Sequence, residues 1–206
     1  MIRPGNPALL LVALLAAPSA ADALGPVSLT LEGFGGAQRT DPLQLAGGTA
    51  SVTPTEQDRL SGDFGLAGAS VIAKASFLEV GLSFDTSFSS PRTKVSTLAP
   101  LAGLAFDVSV LRFELLAEWG GHRYGTVGGS GERMTVGFVG ARPGLSVRLP
   151  LAGSVRWVLG VWGFSRWNLS AEEVAVPAPA PAVGATIYRA GRGPTFGVAG
   201  RLGLEL

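Results

Sequence analysis

One histidine and no cysteine occur among the 206 residues, so nucleophilic or metal chemistry would have to be assembled around His122. His122 lies in Trp119-Gly-Gly-His-Arg-Tyr124. A histidine base activates a hydroxyl only within hydrogen-bond reach, and a carboxylate usually orients it. Glu118 lies four positions before His122 and Glu132 ten after it, with Ser130 in the loop between. The position two after His122 is Tyr124, so a serine nucleophile arrives only if the segment carrying Ser130 folds back. One imidazole, no thiolate and no Asp-x-Asp-x-Asp-Gly loop leave no recognisable metal-ligand set. The stretch Gly125 to Gly131 contains Gly-Gly-Ser-Gly but has neither a P-loop lysine nor a helix after it, and reads as a loop tip. The Asn168-Leu169-Ser170 sequon carries no chemistry of its own. No metal or cofactor is expected.

A larger set of chemical groups is spaced in twos. From Leu111 to Trp119, Leu111, Phe113, Leu115, Ala117 and Trp119 share one parity, and Arg112, Glu114, Leu116 and Glu118 share the other. From Ser76 to Phe88, Leu78, Val80, Leu82, Phe84 and Phe88 alternate with Glu79, Gly81, Ser83, Asp85 and Ser87. At the end of the chain, Phe196, Val198, Leu202, Leu204 and Leu206 alternate with Thr195, Gly197, Ala199, Arg201, Gly203 and Glu205. A period of two is that of a strand with one apolar and one polar face, and a helix would mix the two sets. Weaker copies cover Val27 to Glu32, Phe64 to Ala73, Leu98 to Val108, Met134 to Leu149 and Val155 to Leu169. Eight strands result, an even number that suits a closed barrel.

The elements before and between these strands add a location. Met1 to Ala23 reads as a secretory signal peptide: Arg3 supplies the basic region, Ala8 to Ala17 the apolar run, and Pro18-Ser19-Ala20 and Ala21-Asp22-Ala23 two small-residue cleavage sites. The apolar run is too short to cross a bilayer as a helix, which needs about 20 residues. Residues 24–206 are then one barrel domain. Mean hydropathy is +0.37 and net charge +1, which gives no electrostatic case for nucleic acid. An exported chain without cysteine must be stabilised by burial or by lipid.

Connections alternate in length. Tight turns are expected near Lys74, Ser109-Val110 and Pro150 to Gly153. Longer connections run over Gln38 to Ser61, Ser89 to Thr97, Gly120 to Arg133 and Ser170 to Arg192. Short turns on one rim and long loops on the other suit a membrane barrel. The Pro177 to Pro181 run lies in the last loop, and is expected to stand extended in solvent rather than pair. Trp157 and Trp167 share the outward parity of the seventh strand. Ten residues at ~3.3 Å each, tilted by ~40°, span about 25 Å, the height of a barrel's apolar band. Trp119, Trp157 and Trp167 are therefore expected at the membrane interfaces.

On this registry Glu32, Glu79, Asp85, Asp107, Arg112, Glu114, Glu118, Arg142, Arg148, Arg156, Arg166, Arg201 and Glu205 point inward. An eight-stranded barrel is only wide enough for side chains to fill it. Unpaired charges there would cost several kcal/mol each, so an arginine–carboxylate network is expected across the lumen. Carboxylates come mostly from the early strands and arginines from the late ones. A lipocalin-like barrel, apolar within and polar without, reverses this pattern.

The signal peptide, the eight alternating strands, the loop asymmetry and the terminal strand together resemble the small outer-membrane β-barrel family typified by OmpX and the transmembrane domain of OmpA. The resemblance is one of architecture over the whole mature chain, and carries no diagnostic motif. The family's assembly signal usually ends in an aromatic residue, whereas this chain ends Gly203-Leu204-Glu205-Leu206. The resemblance implies an all-β, eight-stranded antiparallel up-and-down transmembrane barrel in the outer membrane of a Gram-negative bacterium. It implies outer-membrane lipids, lipopolysaccharide and the barrel-assembly machinery as partners, and a monomer. A structural or surface-interaction role is expected, with a narrow pore or transporter as the alternative. Lipid A-modifying enzymes also occur among such barrels, but a deacylase of the PagL type resembles a His-x-Ser arrangement that Tyr124 breaks. No enzyme is expected, and His122 reads as an interface residue contacting headgroups.

Overall fold

The structure, a computed structural model, describes residues 27–40, 45–46, 62–87, 94–125, 132–177, 185–190 and 193–206. The signal-peptide segment, Ser130 and most of the long connections lie outside the described residues. The strands are β1 (Val27–Thr40), β2 (Leu45–Ala46), β3 (Gly62–Ala75), β4 (Leu78–Ser87), β5 (Lys94–Val108), β6 (Leu111–Gly125), β7 (Met134–Ala152), β8 (Val155–Asn168), β9 (Glu172–Pro177), β10 (Ala185–Ala190) and β11 (Pro194–Glu205). Eight of them, β1, β3, β4, β5, β6, β7, β8 and β11, close into a barrel in which each pairs with the next and β11 returns to β1. All the pairings are antiparallel. Closure joins Thr30 to Glu205 and Thr40 to Thr195 in register. The main chains of Leu29 and Leu206 exchange hydrogen bonds of 3.1 and 2.9 Å at the seam. A closed sheet leaves no edge to aggregate.

The period of two sets the polarity. On β6, Leu115 is 58% exposed on the outer face, while its neighbour Leu116 is 1% exposed inside. Phe84, Leu98, Phe106, Phe113, Val161 and Leu202 also stand outward, each about half exposed. The tight turns fall at Ser76-Phe77, Ser109-Val110 and Gly153-Ser154. Their first residues have φ of 57°, 59° and 58°, the sign a type II′ hairpin turn requires there.

Three expectations are corrected. Lys74 sits within β3, and the chain turns after it. The strands outrun their apolar pattern: β1 continues to Thr40, β5 begins at Lys94, and β6 continues to Gly125. Inward glycines hide the continuations of β1 and β6. A Cβ at Gly36 would come within 2.0 Å of Val198 O, and one at Gly120 within 2.0 Å of Leu98 O. Both residues let neighbouring backbones draw together where the barrel wall curves. The last long connection is also more ordered than expected, since β9, β10 and β2 form a separate three-stranded sheet. Pro177 is paired opposite Ala185. It ends the edge strand of that sheet, where a missing N–H costs little.

Candidate functional site

The lumen is built from the inward parity of all eight barrel strands. Near the tight-turn rim, Arg112 on β6 reaches Asp107 Oδ1 through Nε at 2.9 Å and Glu79 Oε1 at 3.5 Å, and also pairs with Glu205. Asp107 accepts from Lys74 Nζ at 2.6 Å and faces Arg148 Nη1 at 3.2 Å. Glu205 accepts from Arg148 at 3.4 Å and from Arg156 at 3.1 Å. Arg148 also donates to the Ser109 carbonyl at 3.4 Å, which ties the lattice to a turn.

Midway along the lumen, Glu32 collects three donors. They are Ser70 Oγ at 2.6 Å, Arg142 Nη2 at 2.5 Å and Arg201 Nη1 at 3.2 Å. Arg201 Nη2 continues to Glu114 at 2.5 Å. Gly144 makes room for that bond, because a Cβ there would lie 2.8 Å from Glu114 Oε2. The Arg142 guanidinium lies 4.1 Å from the Trp162 ring centroid, and Phe34 meets Trp162 edge-on at 4.9 Å.

Toward the long-connection rim, Arg166 is the hub. Its Nε and Nη2 donate to the two oxygens of Glu118 at 3.1 Å each, and Nη1 meets Asp85 Oδ2 at 2.9 Å. The forked geometry is the strong form of this pair. The guanidinium carbon sits 4.3 Å from the Phe164 ring centroid and 5.3 Å from that of Phe138. Above it His122 stacks on Phe138 with centroids 4.4 Å apart, and its Nδ1 shares a 2.9 Å hydrogen bond with Thr97 Oγ1. Tyr124, Met134 and Val136 fill the mouth, and Val174 and Val176 of β9 pack against them.

Of the thirteen inward charges read from the sequence, the structure buries Glu32, Glu79, Asp85, Arg112, Glu114, Glu118, Arg142, Arg148, Arg166, Arg201 and Glu205. Asp107 and Arg156 lie at the rim, with side chains 26% and 46% exposed. The predicted set holds seven carboxylates and six arginines. Lys74, read as a turn residue, supplies the seventh cation, and each of the fourteen has a partner of opposite sign. The sequence reading set Trp162 on the inward parity of the seventh strand, but did not see the aromatic part of the lattice that it forms with Phe34, Phe138 and Phe164. The signal was present, since Trp162, Phe164 and Arg166 share one parity of β8.

Trp119, Trp157 and Trp167 all stand on the outer face. Trp119 and Trp167 are joined through Val139 in one row of the sheet, and Trp157 lies beside the turn at Gly153-Ser154. His122 is corrected: β6 keeps its parity past Trp119, so the ring points into the lumen and is buried. Glu118 is taken up by Arg166, and Glu132 is exposed at the rim. The His122–carboxylate–serine constellation is therefore not assembled among the described residues.

No family model and no curated protein matches the chain. Among solved structures it is similar to Neisserial surface protein A (NspA), at 13% identity and TM-score 0.48, over 86% of this chain and 99% of that one. It is similar to the N-terminal β-barrel domain of Pseudomonas aeruginosa OprF, at 11% identity and TM-score 0.46, over 87% and 97% of the two chains. The translocator domain of the autotransporter NalP from Neisseria meningitidis follows at 13% identity and TM-score 0.29, over 97% and 95%. All three TM-scores lie below one half, and the barrel described above stands on its own strand pairing.

Proposed function

We propose that the chain is an integral outer-membrane barrel with a structural or surface-interaction role, its lumen closed by ion pairs. The observation that carries this reading is the inverted polarity of the wall. Phenylalanine, leucine, valine and tryptophan side chains stand outward on β1, β4, β5, β6, β7, β8 and β11, and glycine and alanine fill most of the outer face between β1 and β3, while the lattice charges turn inward. A continuous apolar exterior of this extent aggregates in water and is at home in hydrocarbon. Barrels of this kind reside in the bacterial outer membrane, so outer-membrane lipids and lipopolysaccharide become its neighbours, and the barrel-assembly machinery its partner in biogenesis. The β2–β10–β9 sheet supports a surface role, since Val174 and Val176 of its β9 pack against Tyr124, Met134 and Val136 at the long-connection rim.

Closure of the lumen is supported by the reach of the ion pairs. Arg142 meets Glu32 and Arg201 meets Glu114 from well-separated strands, leaving cross-links where a conduit would run. Reconstitution into phosphatidylcholine vesicles tests both parts. The inserted protein should migrate faster unheated than boiled on a denaturing gel, and planar bilayers should stay silent. Steady channels with intact barrels would replace closure by the pore reading, and a chain that stays in the aqueous fraction would remove the membrane reading.

A further inference from the structure

Every lumen arginine has a carboxylate, whereas the outward, exposed Arg39, Arg123 and Arg133 make no ion pair among the described residues, and two of them, Arg123 and Arg133, line one depression. Arg123, on the outward parity of β6, and Arg133, just before β7, are both exposed and make no ion pair to a described carboxylate. Glu172 of β9 accepts from the main-chain N–H of Thr135 at 3.0 Å. The two arginines border an open depression of about 580 Å³ on the barrel wall, whose other edges are Phe84, Ser96, Thr97, Leu98, Gly121 and Gly125.

The depression is graded in polarity. Gly121 lies opposite Leu98, and Leu98 opposite Phe84, in the uppermost apolar row of this part of the wall. The next row toward the long connections holds Ser96 opposite Arg123. Arg133 stands beyond it. Trp119, the outward aromatic below Gly121, precedes Arg123 by about 10 Å of tilted strand. If tryptophan marks the headgroup level, the guanidinium pair sits just above it, with an apolar floor beneath.

Taking the membrane reading as given, we propose that Arg123 and Arg133 bind a phosphate carried by a lipid of the outward-facing leaflet, with an acyl chain laid over Leu98 and Phe84 through the gap at Gly121. Two unpaired guanidinium groups complement a phosphate by charge-assisted hydrogen bonds. The apolar floor selects a phosphate attached to a lipid over one free in water. The gap is open enough to be filled without harm to the fold, since a Cβ at Gly121 meets Thr135 Cγ2 at 3.5 Å, an ordinary contact.

Native mass spectrometry of the detergent-solubilised full chain tests the site, using diphosphorylated lipid A, the same lipid with its phosphates removed, and inorganic phosphate as probes. The phosphorylated lipid should bind about tenfold or more tightly than the dephosphorylated one. The double variant Arg123→Gln, Arg133→Gln should lose that preference, and Gly121→Leu should weaken binding with both arginines present. All variants should keep the unheated gel mobility of the folded barrel. Equal binding by wild type and the double variant would overturn the proposal, as would inorganic phosphate binding as well as the lipid. Those results would leave the membrane reading intact, whereas failure to insert into vesicles would remove both.

Discussion

Replacing Arg166 by methionine isolates what the lumen lattice contributes. Arg166 is the only cation bonded to Asp85 and to Glu118 among the described residues, and its side chain is fully buried. Methionine keeps an apolar body between Phe138 and Phe164 but leaves two buried carboxylates without a partner. Removing one member of such a group costs about 3–5 kcal/mol, because the remaining charges stay desolvated. Arg142→Met is the internal control. There Glu32 keeps Arg201 at 3.2 Å and Ser70 at 2.6 Å, so the loss is one charged hydrogen bond, about 2 kcal/mol. Adding Asp85→Asn and Glu118→Gln to Arg166→Met removes the stranded charge, and the triple variant should recover to within about 1 kcal/mol of the wild type. Urea unfolding of vesicle-inserted protein, followed by gel mobility and tryptophan emission, measures all three. A loss below about 1 kcal/mol for Arg166→Met would refute the reasoning. So would a triple variant no more stable than the single one.

Two further expectations concern the wall. Gly36→Val should prevent closure or cost ~3 kcal/mol, since its Cβ would lie 2.0 Å from Val198 O, whereas Gly35→Ala, with 3.7 Å to its nearest neighbour, should fold as the wild type; the folded fraction on an unheated gel distinguishes them. In single-tryptophan variants, Trp119, Trp157 and Trp167 should be quenched by lipids brominated near the headgroup, while the buried Trp162 should be reached neither by these nor by aqueous acrylamide.

The strands were legible wherever apolar and polar residues alternate without a break, as on β6 from Leu111 to Trp119 and on β11. On β1 and β6 they became illegible past an inward glycine with little alternation beyond it. Gly36 and Gly120 carry no polarity for a pattern to register, yet their lack of a side chain is what permits the strand to continue. The lattice was legible as charge at inward parity. Lys74 was lost because the turn was placed two residues early, which took its side chain out of the lumen. The role of Trp162 and Phe164 was lost for a different reason: parity places an apolar residue on the inward face but does not show that its ring lies against a guanidinium. The rim sheet of β2, β9 and β10 was missed because short segments ending at a proline give no periodic signal.

The central claim is that the outer face of this barrel meets lipid and the inner face holds a packed, charge-balanced lattice. Leu115 and Leu116 test it with one residue type on adjacent positions, 58% exposed outward and 1% exposed inward. Because the chain has no cysteine, Leu115→Cys and Leu116→Cys each accept a single nitroxide label. In phosphatidylcholine vesicles, the label at position 115 should collide with membrane-dissolved oxygen and not with a water-soluble nickel chelate, while the label at 116 should be shielded from both. Nickel access at 115, or lipid access at 116, would contradict the account.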